Sequence, residues 1–231
     1  MKLPYMRFVL MLALMLGSRS PIIASDISPA GEQLAKTLDS LNVEQLWLAG
    51  RQVDWRTGLP NGKVYTNTTS HTHCSAFAAA AADKLGVYLL RPPEHSTVLL
   101  ANAQQEWLSH NGTNEGWHPV SSPIAAQKLA NDGQLVVVTC KSHDAKRPGH
   151  IAVIRPSRRD DAEIISTGPE IIQAGVNNYN STNASEGFKH HAGAFNKNEL
   201  LYFYHAVGIQ KPAQNQPVNI SASKSKIGAQ N

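Results

Sequence analysis

The order of its segments predicts that this 231-residue chain folds as an α+β domain, with N-terminal helices packed on a central antiparallel sheet. The segments with helical periodicity, one of them rich in alanine, come first along the chain. Short runs of β-branched residues follow in the second half, separated by polar turns. Helices followed by strands are typical of an α+β domain, whereas a βαβ repeat alternates the two.

Four segments are predicted as helices, and the second of them is the most distinctive. Residues 74–85 contain five consecutive alanines, which have the highest helix propensity, and Gly86 ends the segment. Small side chains on every face allow such a helix to lie close to a sheet, so we place it centrally in the core. The other predicted helices span residues 29–48, 102–111 and 123–131, and residues 58–70 are predicted as a loop.

Five segments are predicted as strands of one sheet. Residues 135–139 and 151–154 are apolar and β-branched, and a polar turn containing Pro148 and Gly149 separates them. The sheet is expected to continue through residues 163–166, 170–174 and 200–205, while the Asn- and Ser-rich residues 177–187 form a loop. The sequence shows no internal repeat, so one domain from residue 25 to residue 210 is expected.

Both ends of the chain are predicted to lie outside this domain. Residues 1–24 have the pattern of an export signal, because Lys2 and Arg7 precede an apolar run that is too short to span a bilayer. Residues 211–231, rich in Gln, Ser, Asn and Lys, are predicted to be a disordered tail. We therefore expect a periplasmic or secreted protein without stable membrane insertion.

The charge balance argues against nucleic acid as a partner. The net charge of +4 includes Lys2, Arg7 and Arg19, and their loss with the signal would leave +1. The remaining basic residues form no stripe with interleaved aromatic residues. The histidines in residues 71–74 and 190–191 lack the paired spacings of zinc sites, so neither a metal nor another cofactor is expected.

Cys74 and His150 are the candidate reactive residues. Cys74 begins the alanine-rich helix, where unpaired N–H groups and the positive end of the helix dipole would lower the pKa of a thiol. His150 begins an apolar strand and follows Gly149, which leaves space beside the imidazole. A histidine there can reach a helix N-terminus and act as base to a cysteine nucleophile. The residues alone leave other roles open: Cys74 in the core or in a disulfide with Cys140, and His150 facing solvent.

Two motifs resemble the CHAP and NlpC-type branch of papain-like hydrolases: Cys-Ser-Ala-Phe at residues 74–77 and Gly-His-Ile-Ala-Val-Ile at residues 149–154. The resemblance covers roughly residues 55–206. It implies a papain-like fold in which the cysteine begins a helix packed on the sheet and the histidine begins the strand that faces it. It also implies a third polar residue, on a following strand, that orients the imidazole.

Gln173 is the preferred third residue. It follows the apolar pair Ile171-Ile172 within a predicted strand and precedes Ala174-Gly175, where a side chain could face the site. Glu170 and Asn177 are the alternatives. Glu170, beside Pro169, is expected in a turn, and Asn177 is expected in the following loop.

The resemblance implies a cysteine hydrolase that cleaves amide bonds, most often in peptidoglycan stem peptides or at the muramoyl–alanine link. The expected partner is therefore peptidoglycan or another peptide, attacked by the Cys74 thiolate with His150 as its base. Two alternatives remain. One is a non-catalytic secreted binding module with a Cys74–Cys140 disulfide, and the other is a papain-like hydrolase that acts on a protein or an acyl substrate.

Overall fold

The computed structural model describes residues 26–67, 69, 71–191 and 193–208, so the predicted export signal and tail lie outside the described residues. Within these ranges the chain forms six α-helices: Pro29–Asp39 (α1), Cys74–Lys84 (α2), Leu100–His110 (α3), Pro123–Asn131 (α4), Asp161–Thr167 (α5) and Ala184–Gly187 (α6). Its strands are Arg51–Val53 (β1), Pro60–Val64 (β2), Trp117–Val120 (β3), Leu135–Cys140 (β4), His150–Ile154 (β5), Glu170–Gln173 (β6), Tyr179–Asn183 (β7) and Leu201–His205 (β8). None of the helices in these ranges combines the length and apolar character needed to cross a bilayer.

Six strands form one antiparallel sheet in the order β3-β8-β4-β5-β6-β7, and β1 pairs with β2 in a separate hairpin. The predicted α+β class with a central antiparallel sheet is confirmed. β4 and β5 lie in the middle of the sheet, and every residue of both strands is buried. Because successive side chains of a strand point to opposite faces, this burial requires a covering layer on each side.

The two layers are visible in the alternation along β5. Ile151 and Val153 pack in the cluster that contains α2, whereas Ala152 and Ile154 pack in a second cluster that contains Phe188. Residues 74–82 of α2 are all buried, and their small side chains permit a close approach to the sheet. The helix that begins at Cys74 is thereby fixed against the central strand that begins at His150.

Most predicted segments are confirmed, with shifts of at most two residues at their ends: α2, α3, α4, β4, β5, β6 and β8. The helix predicted for residues 29–48 is wrong beyond Asp39, because α1 ends there with Ser40 as its C-cap. Asn42 and Trp47 both have a φ of 52°, which a right-handed helix cannot contain. Leu41 and Trp47, which suggested a longer helix, lie in turns and bends, from which their side chains reach the core.

Three further predictions are wrong. Residues 163–166 belong to α5 and not to a strand, because Asp160 and Glu163 form a capping box at its start. Residues 177–187, predicted as a loop, contain β7 and α6, and residues 58–70 contain β2. β2 is exposed and β7 is partly exposed along its length, so neither has the apolar alternation that predicts a strand. β3 is likewise absent from the predicted strands.

Candidate active site

A cleft of about 470 Å³ opens where β4 ends, β5 begins and β6 ends. Cys140, His150 and Gln173 line it, one from each of these strands. The turn after β4 and the segment around α6 add charged and titratable residues to the lining, among them Lys141, Asp144, Arg147, Glu186, Lys189 and His191. A cleft of this size can hold part of a peptide or a small ligand.

A buried hydrogen bond joins two of the predicted site residues. His150 Nε2 lies 2.8 Å from Gln173 Oε1, and the two residues are 5% and 3% exposed. The register of the sheet explains the contact, because Val153 of β5 pairs with Ile172 of the antiparallel strand β6. Gln173 and His150 are then diagonal neighbours on one face, within reach of long side chains. The structure therefore brings together the predicted base and its preferred third residue.

The other end of the Gln173 amide decides which nitrogen of His150 carries the proton. Gln173 Nε2 donates to the carbonyl oxygen of Asn177 at 3.3 Å, so its Oε1 faces the imidazole. An amide oxygen can only accept, so His150 Nε2 carries the hydrogen and Nδ1 is an acceptor. A neutral imidazole of this tautomer can serve as a general base through Nδ1.

Two aromatic rings flank the His150 imidazole. The ring of Phe188 lies edge-on, with 4.7 Å between centroids and 73° between planes. The ring of His191 is stacked, with 5.2 Å between centroids and 14° between planes. Burial lowers the pKa of His150 to about 4, although the hydrogen bond with Gln173 raises it. His150 is therefore neutral at pH 7.

Cys74 begins α2 and approaches β5 from the opposite face of the sheet. It belongs to the cluster of Ile151 and Val153, whereas His150 contacts Phe188 of the second cluster. The N–H of Ile151 nevertheless donates toward the Cys74 sulfur, so the sulfur lies next to the backbone that carries His150. Within the described residues, no hydrogen bond joins this sulfur to the His150 ring.

The N–H groups at the helix start act on Cys74 in the expected direction, but the pKa of the thiol is raised and not lowered overall. Burial raises the pKa of this thiol above its usual value, and the N–H groups of Ile151, Ser75 and Cys74 itself offset only part of the effect. The preceding His73 provides no side-chain cap, because its Nε2 is bonded to the Arg51 carbonyl at 2.7 Å. Cys74 is thus a neutral thiol at rest and needs a base to ionise it.

Both cysteines are free thiols in different core clusters, so the Cys74–Cys140 disulfide of the binding-module alternative is absent from the structure. Cys140 pairs with His150 across β4 and β5 and lines the cleft. Burial, and then the charge of Glu199, raises the pKa of Cys140. Its position opposite His150 depends on the strand register, which the sequence of the intervening turn does not specify.

The two alternative third residues make no hydrogen bond to the imidazole within the described residues. Glu170 begins β6, in agreement with the strand predicted for residues 170–174 and not with the turn expected beside Pro169. Its carboxylate accepts from Ser181 and pairs with Arg159 at 3.5 Å. Asn177 lies in a loop, and its backbone oxygen accepts from Gln173. Gln173 is therefore the one of the three that contacts the His150 ring.

Asn102 of α3 is a buried residue that the sequence pattern does not identify as part of the site. Its Oδ1 accepts from the N–H of Gly149 at 2.8 Å, and its Nδ2 donates to the carbonyl of Arg147 at 2.9 Å. These bonds fix the end of the turn that leads into His150. A Cβ on Gly149 would lie 2.2 Å from the Cys140 carbonyl oxygen, so the absence of a side chain here makes room for the backbone at the end of β4.

Within the described residues, no group of three histidine, cysteine, aspartate or glutamate side chains is placed to hold a metal ion. No protein-family model matches the sequence, and no curated protein is significantly similar to it. The geometry of Cys74, His150 and Gln173 is therefore the basis for a proposal of function.

Proposed function

We propose that the protein is a papain-like cysteine amidohydrolase that cleaves amide bonds in peptidoglycan, with Cys74 as nucleophile, His150 as base and Gln173 as the residue that orients the base. The observation that carries the proposal is the buried His150–Gln173 hydrogen bond, which leaves Nδ1 as an acceptor beside a cleft. A thiol at a helix start, a base and a residue that orients the base are the parts of nucleophilic hydrolases. The antiparallel sheet, with a helix that begins at Cys74 packed on it, supports the papain-like assignment.

The proposed chemistry starts from a neutral pair. Because burial raises the pKa of Cys74 and lowers that of His150, the thiol proton passes to Nδ1 as the sulfur attacks the substrate carbonyl carbon. The imidazolium donates that proton to the leaving amine, and a thioester acyl-enzyme remains. Water attacks the thioester and gives a proton to the imidazole, which returns it to the departing sulfur. Gln173 accepts from Nε2–H throughout.

The sulfur and the imidazole meet at the start of β5 in this proposal. His150 is the first residue of the strand and adjoins Ile151. The Cys74 sulfur already contacts the Ile151 N–H. The proposal requires the thiol to turn from this N–H toward Nδ1 when substrate binds, in the way that catalytic hydrogen bonds often tighten only in the substrate complex.

Peptidoglycan is the proposed substrate for two reasons. The cleft lining carries both charges, with Lys141 and Arg147 basic and Asp144 and Glu186 acidic, which suits stem peptides that contain carboxylates and amines. The predicted export signal would place the protein in the periplasm or outside the cell, where peptidoglycan is accessible. A protein or acyl ester substrate would use the same thiol chemistry and is distinguished by its products.

One observation favours a second nucleophile for the same reaction. Cys140 lines the cleft and lies opposite His150 in the sheet register, on the face that carries the imidazole. Its thiol donates to the carbonyl oxygen of Lys141 at 3.6 Å. Cys140 is a strand residue and therefore lacks the helix-start N–H groups that stabilise a thiolate and an oxyanion, so we assign the role to Cys74.

Digestion of isolated peptidoglycan tests the proposal. The chain without residues 1–24 is compared with its Cys74→Ala and Cys140→Ala variants, and released fragments are identified by mass spectrometry. We expect fragments from the parent protein and from Cys140→Ala, and none from Cys74→Ala. Fragments from Cys74→Ala but not from Cys140→Ala would show that Cys140, and not Cys74, is the nucleophile. No fragments from any of the three, with Cys74 inert to iodoacetamide at neutral pH, would contradict the proposed function.

A further inference from the structure

The segment that follows α6 places two rings against the proposed base. His191 stacks on the His150 imidazole, with 5.2 Å between centroids and 14° between planes. Phe188 packs edge-on against the same imidazole at 4.7 Å. The N–H of His191 donates to the Phe188 carbonyl at 2.9 Å, so a turn fixes the two rings relative to each other. His150 therefore lies in a pocket with two aromatic sides.

The same segment packs against Gln173. A Cβ on Gly187, at the end of α6, would lie 2.6 Å from Gln173 Oε1, so the helix backbone closely approaches the amide that bonds to His150. Asn183 caps α6 by accepting from the N–H of Glu186 at 3.0 Å. The orientation of the imidazole is thus determined by Gln173 on one edge and by the segment after α6 on its faces.

We propose that His191 is a positioning residue whose stacked ring holds the His150 imidazole in the plane in which Nε2 meets Gln173 and Nδ1 is free to accept the thiol proton. The inference rests on the proposed role of His150 as base. Rotation about the Cβ–Cγ bond of a histidine has a broad energy profile, so one hydrogen bond alone restricts the ring weakly. A second ring stacked on its face removes that rotation.

Burial is the largest cause of the lowered pKa of His150, and the stacked ring of His191 covers one face of the imidazole. Burial, followed by the charges of His150 and His190, lowers the pKa of His191 to about 4, and two stacked imidazolium rings would repel each other. Cys74 and Cys140 are neutral thiols. The other charged groups that line the cleft form ion pairs: Lys189 with Glu186, Arg147 with Asp144, Lys141 with Glu106 and His143 with Glu199. The Tyr179 hydroxyl donates a hydrogen bond to Glu186.

Histidine-ring NMR of the ¹⁵N-labelled protein, titrated from neutral to acidic pH, tests this inference without substrate. In His191→Ala, water reaches one face of the imidazole, so we expect His150 to titrate well above its value of about 4, toward the ordinary 6.5, with loss of the pure Nε2–H tautomer signal. In His191→Phe the stacked ring is retained, so the titration near pH 4 and the tautomer are expected to persist.

Two further variants make the result decisive. His190→Ala is the matched control, because His190 adjoins His191 and also lines the cleft, and it is expected to leave the His150 tautomer unchanged. His191→Gln removes the ring but keeps a polar side chain, and it replaces the alanine variant if that variant does not fold. An unchanged His150 titration and tautomer in the variants without a ring would overturn the inference.

The pH dependence of kcat/KM separates this inference from the proposed function. The acid limb is expected to move with the His150 titration in His191→Ala and to stay in place in His191→Phe. A shifted NMR titration with an unshifted acid limb would remove His150 from the role of base and overturn the inference with it. If the enzyme is active but His150 titrates at the same pH in the parent protein and in His191→Ala, the inference is overturned and the proposed function is not.

Discussion

Cys74 and His150 are each harder to ionise in the fold than in water, because both are buried. A resting thiolate–imidazolium pair is therefore disfavoured, and charge develops only as the sulfur attacks. The N–H groups of Ile151, Ser75 and Cys74 already point at the sulfur, on which negative charge would develop. Preorganised donors of this kind stabilise a charged transition state without having to reorient during the reaction.

Gln173→Glu tests how the base is tuned. The carboxylate keeps an acceptor opposite His150 Nε2 and adds a negative charge, which should raise the pKa of His150 by about one to three units. Since the base must be neutral, the acid limb of kcat/KM is expected near pH 4 in the parent protein and at higher pH in the variant. The measurement is kcat/KM against pH for both proteins.

Gln173→Ala is the companion to this variant, because it removes the acceptor without adding charge. Loss of one buried hydrogen bond costs about 1 kcal/mol, which corresponds to a decrease of roughly fivefold in kcat/KM. Its acid limb should not move upward. Identical pH profiles for all three proteins would contradict the contact between Gln173 and a catalytic His150.

At the scale of elements, the turn between β4 and β5 depends on one side chain of α3. Asn102 accepts from the N–H of Gly149 and donates to the carbonyl of Arg147, and its side chain is buried. Asn102→Ala is expected to lower the free energy of unfolding by about 1–3 kcal/mol, because buried backbone groups lose their partners. It should also lower kcat, because the turn leads directly into His150. Urea unfolding and steady-state kinetics measure the two effects.

Ser109→Ala is the control for this variant, since Ser109 is an exposed residue of the same helix. Exposed substitutions usually change the free energy of unfolding by less than about 0.5 kcal/mol. Equal stability and equal kcat for the Asn102 and Ser109 variants would show that Asn102 does not hold the turn.

Elements with a strong local pattern are the ones that the sequence predicts correctly. The alanines of α2 favour a helix and the β-branched runs of β4 and β5 favour strands. All three elements are buried in the core, so local propensity and tertiary structure agree there. The Ile164-Ile165 pair suggests a strand, but the capping box of Asp160 and Glu163 selects a helix, and Ile165 is exposed. β7 has a polar sequence and forms through pairing with β6, which only the tertiary structure provides.

The candidate site is predictable to a similar extent. Cys74 and His150 can be selected from the sequence because each begins a strongly patterned element, and Gln173 because the family resemblance implies a third polar residue on a following strand. The sequence does not show which faces of the sheet these side chains occupy, because a shift of one residue in strand register moves every side chain to the opposite face. For this reason neither the position of Cys140 opposite His150 nor the stacking of His191 is predictable from the residues alone.

For the molecule as a whole, two neutral histidines, the buried His150 and the partly buried His191, make stability depend on pH. The pKa values of His150 and His191 are both lowered to about 4 from the ordinary 6.5. Between about pH 6.5 and pH 4 the unfolded chain therefore binds more protons than the folded chain. The contribution of these residues to stability is complete above about pH 6.5 and is lost as the pH falls toward 4.

Urea unfolding at a series of pH values measures this dependence. The free energy of unfolding of the parent protein is expected to fall steadily between the two pKa values. His191→Phe has one titrating ring fewer at the stack, so its decline should be shallower. A free energy of unfolding that is constant across this window would contradict the burial of neutral imidazoles.

The covalent intermediate is the most direct test of the central claim that Cys74 is the nucleophile. The protein is mixed with a peptidoglycan fragment, quenched in acid within the first turnovers, digested and mapped by mass spectrometry. We predict an acyl group on the peptide that contains Cys74, and none on the Cys140 peptide or in the Cys74→Ala variant. An acyl group on Cys140, or product release without acylation of either cysteine, would contradict the claim.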